Sequence, residues 1–138
     1  MHEWALAEAI VKSVYELVAD KPGRVEEVCV VIGELQNIEQ DVLRWALVEI
    51  SKGTELEGVE FKLEIEEAEF KCRTCGYEWN LSGTSLSEDE REAIHFIPEV
   101  VHSFLKCPNC GSPDFKVVRG RGVWIRYVRI SRVNRDGS

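Results

Sequence analysis

Four of the five cysteines fall into two pairs of equal spacing, Cys72-x2-Cys75 and Cys107-x2-Cys110, separated by 31 residues. Two thiolates two residues apart can grip one ion in a tight turn. Glycine follows each pair, at Gly76 and Gly111, so the backbone can fold back with its amides facing the sulfurs. Two such knuckles close a tetrahedral four-sulfur shell, which suits Zn2+ at about 2.3 Å per bond. A filled shell has no open position for water. The expectation is therefore a structural zinc ion on Cys72, Cys75, Cys107 and Cys110. The fifth cysteine, Cys29, sits in the apolar run VCVVIG and reads as a small core residue.

A second chemical opportunity stands at the start of the chain, where His2 and Glu3 follow Met1. An α-amine with a pKa of about 7.7–8 is partly deprotonated near neutrality and can bind a metal. With the amide nitrogen and imidazole of His2 it forms fused five- and six-membered chelate rings. The amide of Glu3 or another imidazole could supply a fourth donor. Helix formation does not compete, because the first four N–H groups of a helix lack partners within it. Amide nitrogens with imidazole in one plane favour Ni(II) or Cu(II) over Zn(II). The alternative is an ordinary polar helix start, with Glu3 stabilised by the positive helix end. Chemistry alone leaves both open. The remaining histidines, His95 and His102, lie in IHFIPEVVHSF between the cysteine pairs. Taken alone, each reads as packed or surface-exposed.

These groups need elements to position them. Apolar residues at 6, 10, 14 and 17, flanked by 7, 11 and 18, predict an amphipathic helix that DKPG stops. VEEVCVVIGEL is rich in β-branched residues and predicts a buried strand. DVLRWALVEISKG restores a helical period through Val42, Trp45, Ala46 and Ile50. In VEFKLEIEEAEF, Val59, Phe61, Leu63 and Ile65 alternate with charged residues, the pattern of a half-buried strand. FKVVRG and GVWIRYVRI read as further strands about a Gly120–Gly122 turn, and SGTSLSEDERE as a loop or a short acidic helix start. The predicted fold is α+β: two helices packed on a small three-stranded sheet, with an inserted four-cysteine domain of zinc-ribbon or rubredoxin-knuckle type. Its expected boundaries are 1–70 plus 112–138 for the α/β domain and 71–111 for the insertion.

The charge is unevenly spread. Residues 1–70 carry 6 Lys and Arg against 17 Asp and Glu, whereas residues 111–138 carry 7 against 2. An acidic body argues against phosphate-driven nucleic-acid binding. The basic strip from Arg119 to Arg135 reads as a strand whose arginines pair with that body. No stretch approaches the roughly 20 apolar residues of a membrane span, and the acidic start lacks the positive charge of a signal peptide. A soluble, cytoplasmic protein with no membrane or nucleic-acid partner is expected. No nucleophile–base set or phosphate loop marks an enzyme.

MHEWALAEAIV, followed by VVIGEL, the two CxxC pairs and GRGV, resembles the HypA family of nickel metallochaperones in [NiFe]-hydrogenase maturation. The resemblance covers essentially the whole chain, and the long segment between the knuckles looks like the family's archaeal branch. It implies Ni(II) as transient cargo at His2 with the Met1 amine and Glu3, and zinc on the four paired cysteines. It also implies that a histidine of IHFIPE, here His95, joins the nickel shell. The implied partners are the nucleotide hydrolase HypB and then the hydrogenase large subunit, with the chain a monomer or dimer. Glu34 and Glu39, with the acidic helix faces, are expected to form part of the docking surface. Two rivals remain: CRTCGYEW and CPNCG also resemble rubredoxin, an iron electron carrier, and the cysteines with the basic strip suit a zinc-ribbon adaptor.

Overall fold

The computed structural model describes residues 2–82, 86–97 and 100–131. Along the chain run α1 (Glu3–Val18), β1 (Arg24–Gly33), a 3-10 turn (Glu34–Gln36), α2 (Gln40–Ser51), β2 (Glu60–Glu66), β3 (Glu69–Cys72), β4 (Glu78–Asn80), α3 (Glu88–Phe96), α4 (Val101–Phe104), β5 (Phe115–Arg119) and β6 (Val123–Ser131). The mixture is α+β, with two small sheets and two compact units. Among the described residues, no helix is long and apolar enough to cross a membrane.

The first unit comprises residues 1–31, 38–64 and 124–138. Its sheet has the order β2-β1-β6, so the most apolar strand lies in the middle. Every residue of β1 from Val28 to Gly33 is buried, as a strand covered on both faces requires. Arg24 meets Ser131 while Glu27 meets Tyr127 and Arg129, which makes β1 and β6 antiparallel. Gly23 (φ +112°) brings the chain into β1 so close to β6 that a Cβ there would lie 2.1 Å from the Ser131 carbonyl oxygen. The two helices α1 and α2 pack on each other. Ala7, Ile10, Val11 and Val14 form the buried face of α1, and Leu17 of the expected stripe is exposed.

The departure in α2 is larger. Its buried face is Leu43, Ala46 and Leu47, while Val42 and Trp45, expected in the core, are 45% and 57% exposed. The helix carries apolar residues on two faces, and periodicity could not tell which one the core takes.

The second unit comprises residues 32–37 and 65–123. It is wider than the 71–111 insertion drawn from the cysteine spacing. The reason is β5, which pairs with β3 in a second sheet of order β4-β3-β5. Phe70, Phe115, Ala68, Leu81, Ile94, Val101, Leu105 and Leu35 fill its core. Phe115 lies edge-on to both Phe70 and Trp79, at 5.4 and 5.2 Å between ring centroids. The acidic helix start is genuine: Ser87 and Glu90 form a reciprocal capping box that begins α3.

Candidate metal centres

The paired cysteines come together within the second unit. Cys72 ends β3, Cys75 follows in the turn to β4, and the turn holding Cys107 and Cys110 leads into β5. The pairing of β3 with β5 sets Cys72 opposite Phe115, which aligns the two turns. Each turn closes on its glycine amide: Gly76 donates to the Cys72 carbonyl and Gly111 to the Cys107 carbonyl, at 3.0 and 2.8 Å. Both glycines have positive φ, +80° and +78°, a conformation that side chains resist.

All four sulfurs lie within 4.8 Å of one another. The Cys72–Cys110 and Cys75–Cys107 sulfur separations are both 3.6 Å. A tetrahedron with Zn–S bonds of about 2.3 Å has edges of about 3.8 Å, close to these two separations, so the cage suits zinc. Amides of Thr74 and Cys75 point at the Cys72 sulfur, at 3.3 and 3.4 Å. The Cys75 amide, above all, lowers the Cys72 thiol to about 6. The Asn109 side chain likewise holds Cys75 below its ordinary value. The Ser112 amide favours ionisation of Cys110, but burial and the three neighbouring sulfurs outweigh it and push that thiol up to about 12. Four thiolates cannot share so small a volume without a cation. A structural zinc ion satisfies the cage, and no coordination position remains for chemistry.

The amino-terminal candidates are built differently. Met1 lies outside the described residues. His2 is exposed, and its carbonyl accepts the Leu6 amide at 2.9 Å as the first bond of α1. Glu3, next along, is only 3% exposed. Its carboxylate accepts the amide of Glu39 at 3.1 Å, where α2 begins. Burial opposes ionisation of Glu3, but hydrogen bonds, that from Glu39 among them, outweigh it and keep its pKa below the usual carboxylate value. A charged side chain is thus spent on tying the first turn of α1 to the first turn of α2. Only a buried carboxylate next to an exposed imidazole reveals this, and the letters HE do not.

His95, on α3 in the second unit, approaches the Gln36 carbonyl through Nδ1. His102 packs on the Phe115 ring at 4.3 Å and lies 3.3 Å from the Pro113 carbonyl, which makes it part of the second unit's packing. Glu34 is committed within the second unit, accepting the Ala68 amide at 2.9 Å, whereas Glu39 belongs to the first. The basic strip is partly neutralised: Arg126 meets Glu64 at 3.1 Å, Arg129 meets Glu27 at 3.2 Å, and Arg119 meets Glu69 at 3.6 Å. Arg135 lies outside the described residues.

An α+β chain with a closed four-cysteine zinc knuckle and an exposed histidine before its first helix is a metal-handling protein with a structural ion. Residues 1–130 match the family model described as hydrogenase/urease nickel incorporation, metallochaperone, hypA. The chain belongs to the HypA family. It is 54% identical over 135 residues to the hydrogenase maturation factor HypA of Pyrococcus horikoshii, an alignment covering 96% of this chain and 97% of that one. The HypA of Pyrococcus furiosus is 54% identical over 136 residues, with the same coverage. Both relatives are archaeal. Among solved structures, the Ni metallochaperone HypA from Helicobacter pylori superposes with a TM-score of 0.61, over 94% of this chain and 97% of that one. At 15% identity that likeness supports the fold alone. Family membership favours the nickel metallochaperone reading over the rubredoxin-like carrier and the zinc-ribbon adaptor.

Proposed function

We propose that this chain carries Ni(II) as cargo on its amino-terminal residues during hydrogenase maturation, and that it acts as a carrier without catalysing a reaction. One observation supports the reading above the others: exposed His2 stands directly beside buried, anchored Glu3. A delivery site must be reachable by a partner, yet its donors must be held steady enough to chelate. The anchor supplies the second property and exposure the first. The assigned nickel donors are the His2 imidazole and amide nitrogen with the Met1 amine, and Glu3 contributes through its amide. The Glu3 carboxylate, engaged by Glu39, is assigned a positioning role. His95 is assigned as a further donor on the family resemblance. With Nδ1 at the Gln36 carbonyl, Nε2 is the nitrogen assigned to the metal.

The partners that follow from this reading are the nucleotide hydrolase HypB and the hydrogenase large subunit, in the cytoplasm. A nickel titration of zinc-loaded His2→Ala and His95→Ala proteins tests the assignment. His2→Ala is expected to abolish stoichiometric binding and His95→Ala to weaken it. Wild-type affinity in His2→Ala would contradict the reading.

A further inference from the structure

The α2 helix has a second apolar face that its own unit does not use. Leu43, Ala46 and Leu47 are buried, while Val42, Trp45 and Val48 are 45%, 57% and 46% exposed. Residues three apart are neighbours on a helix surface, so these three form a continuous line. Trp4 of α1 extends it: its ring lies 5.7 Å from that of Trp45, tilted by 52°, and it too is 44% exposed. A helix that is apolar on both sides is normally covered on both sides. Two exposed tryptophans in contact are also the kind of anchor that dominates protein interfaces.

The charges around the line identify what would cover it. Glu8 stands one turn from Trp4, and Asp41 one turn from Trp45; both are exposed. Arg44 on α2 and Lys52 just after it are already directed elsewhere. Arg44 donates to the Phe61 carbonyl at 2.8 Å, and Lys52 pairs with Glu49. Residues 1–70 as a whole carry 6 Lys and Arg against 17 Asp and Glu. A second copy of this chain laid on the face would set Glu8 and Asp41 against their own kind in an acidic field. An anionic lipid surface meets the same repulsion.

We infer that the Trp4–Val42–Trp45–Val48 face docks a partner protein through an amphipathic segment whose apolar side chains are flanked by lysines and arginines. The inference rests on the carrier reading, which requires docking partners, and it gives their contact surface a chemistry. The face adjoins the turn that holds His2, so a partner seated there stands beside the proposed cargo.

The test uses two labelled helical peptides of about 18 residues with leucines at the same helical spacing, one filled out with lysine and the other with glutamate. Their binding to full-length zinc-loaded protein is read by fluorescence anisotropy. The lysine peptide is expected to bind at least about tenfold more tightly than the glutamate peptide, with the advantage shrinking as salt shortens the screening length. The Val42→Ser/Trp45→Ser protein is expected to lose about tenfold of that affinity. Asp41→Lys/Glu8→Lys, which leaves the apolar line intact, is expected to abolish the preference for lysine. Equal binding of the two peptides, or full affinity in Val42→Ser/Trp45→Ser, would overturn the inference. So would sedimentation of the wild type as a dimer that this variant dissolves, or retention of the wild type on phosphatidylserine vesicles. Nickel stoichiometry measured on the same samples is expected to stay at the wild-type value. If nickel binding fails in the wild type itself, the carrier reading falls, and the peptide results then speak only for the surface.

Discussion

The carboxylate of Glu3 accepts the amide of Glu39 at 3.1 Å, so the residue after the exposed His2 is fixed at the start of α2. An acidic group at a helix start is favoured by the unpaired amides there, and burial removes competing water. The relationship sets an accessible imidazole beside an anchored first turn of α1.

Glu3→Ala leaves the Glu39 amide without this partner. A loss of about 1–3 kcal/mol in unfolding free energy is expected by urea denaturation. Weakened nickel binding with unchanged stoichiometry is expected beside it, and Glu3→Gln, which keeps an acceptor, should restore most of both. Stability unaffected in Glu3→Ala would remove the anchoring role.

Removing zinc with a chelator should affect the second unit first. Loss of amide-exchange protection is expected in Glu69–Cys72, Glu78–Asn80 and Phe115–Arg119, where both turns hang from one sheet. Protection at Val28 and Val30, in the first unit, should persist, since β1 is covered there without any metal. Simultaneous loss in both places would contradict the separate character of the two units.

Phe70 is fully buried, and its ring centroid lies 5.5 and 5.4 Å from those of Trp79 and Phe115. Phe70→Ala should cost about 3–5 kcal/mol, read by thermal or urea unfolding of the zinc-loaded protein. A cost under about 1 kcal/mol would mean that the aromatic cluster repacks freely.

Tyr127 gives a pH signature. Its hydroxyl donates to Glu27, which raises its pKa to about 12, so the folded state holds this proton more tightly than the unfolded chain does. A group raised on folding contributes stability that is complete below the unfolded value of about 10 and disappears as pH rises through about 12. Ultraviolet titration should therefore show a late phenol transition that Tyr127→Phe removes. Loss in the variant of a transition near the ordinary value of about 10, with the late one retained, would deny the contact.

The zinc site was legible because two equal spacings, each followed by glycine, leave few geometries open, and the structure gathers all four sulfurs within 4.8 Å. The central strand was legible from the β-branched run at Val28–Ile32; the alternation of VEFKLEIEEAEF holds at Val59 and Phe61, but Ile65 is exposed and the run divides between β2 and β3 in different sheets. Other features depend on tertiary contacts that local pattern does not contain. FKVVRG falls within the expected 112–138 part of the α/β domain, but β5 pairs with β3 and draws the second unit out to Val123. Val42 and Trp45 fit a buried stripe as well as Leu43 and Leu47 do, and only packing against α1 decides between them. The Glu3 anchor needs residue 39, which no reading of the first three residues can supply.

Nickel calorimetry on zinc-loaded protein tests the central claim most directly, comparing a chain that begins at Met1 with one carrying a two-residue amino-terminal extension. The expected result is one nickel per chain in the first and none bound stoichiometrically in the second, with zinc and fold unchanged. Equal binding in both, or binding in neither, would contradict the assignment of nickel to the amino-terminal end.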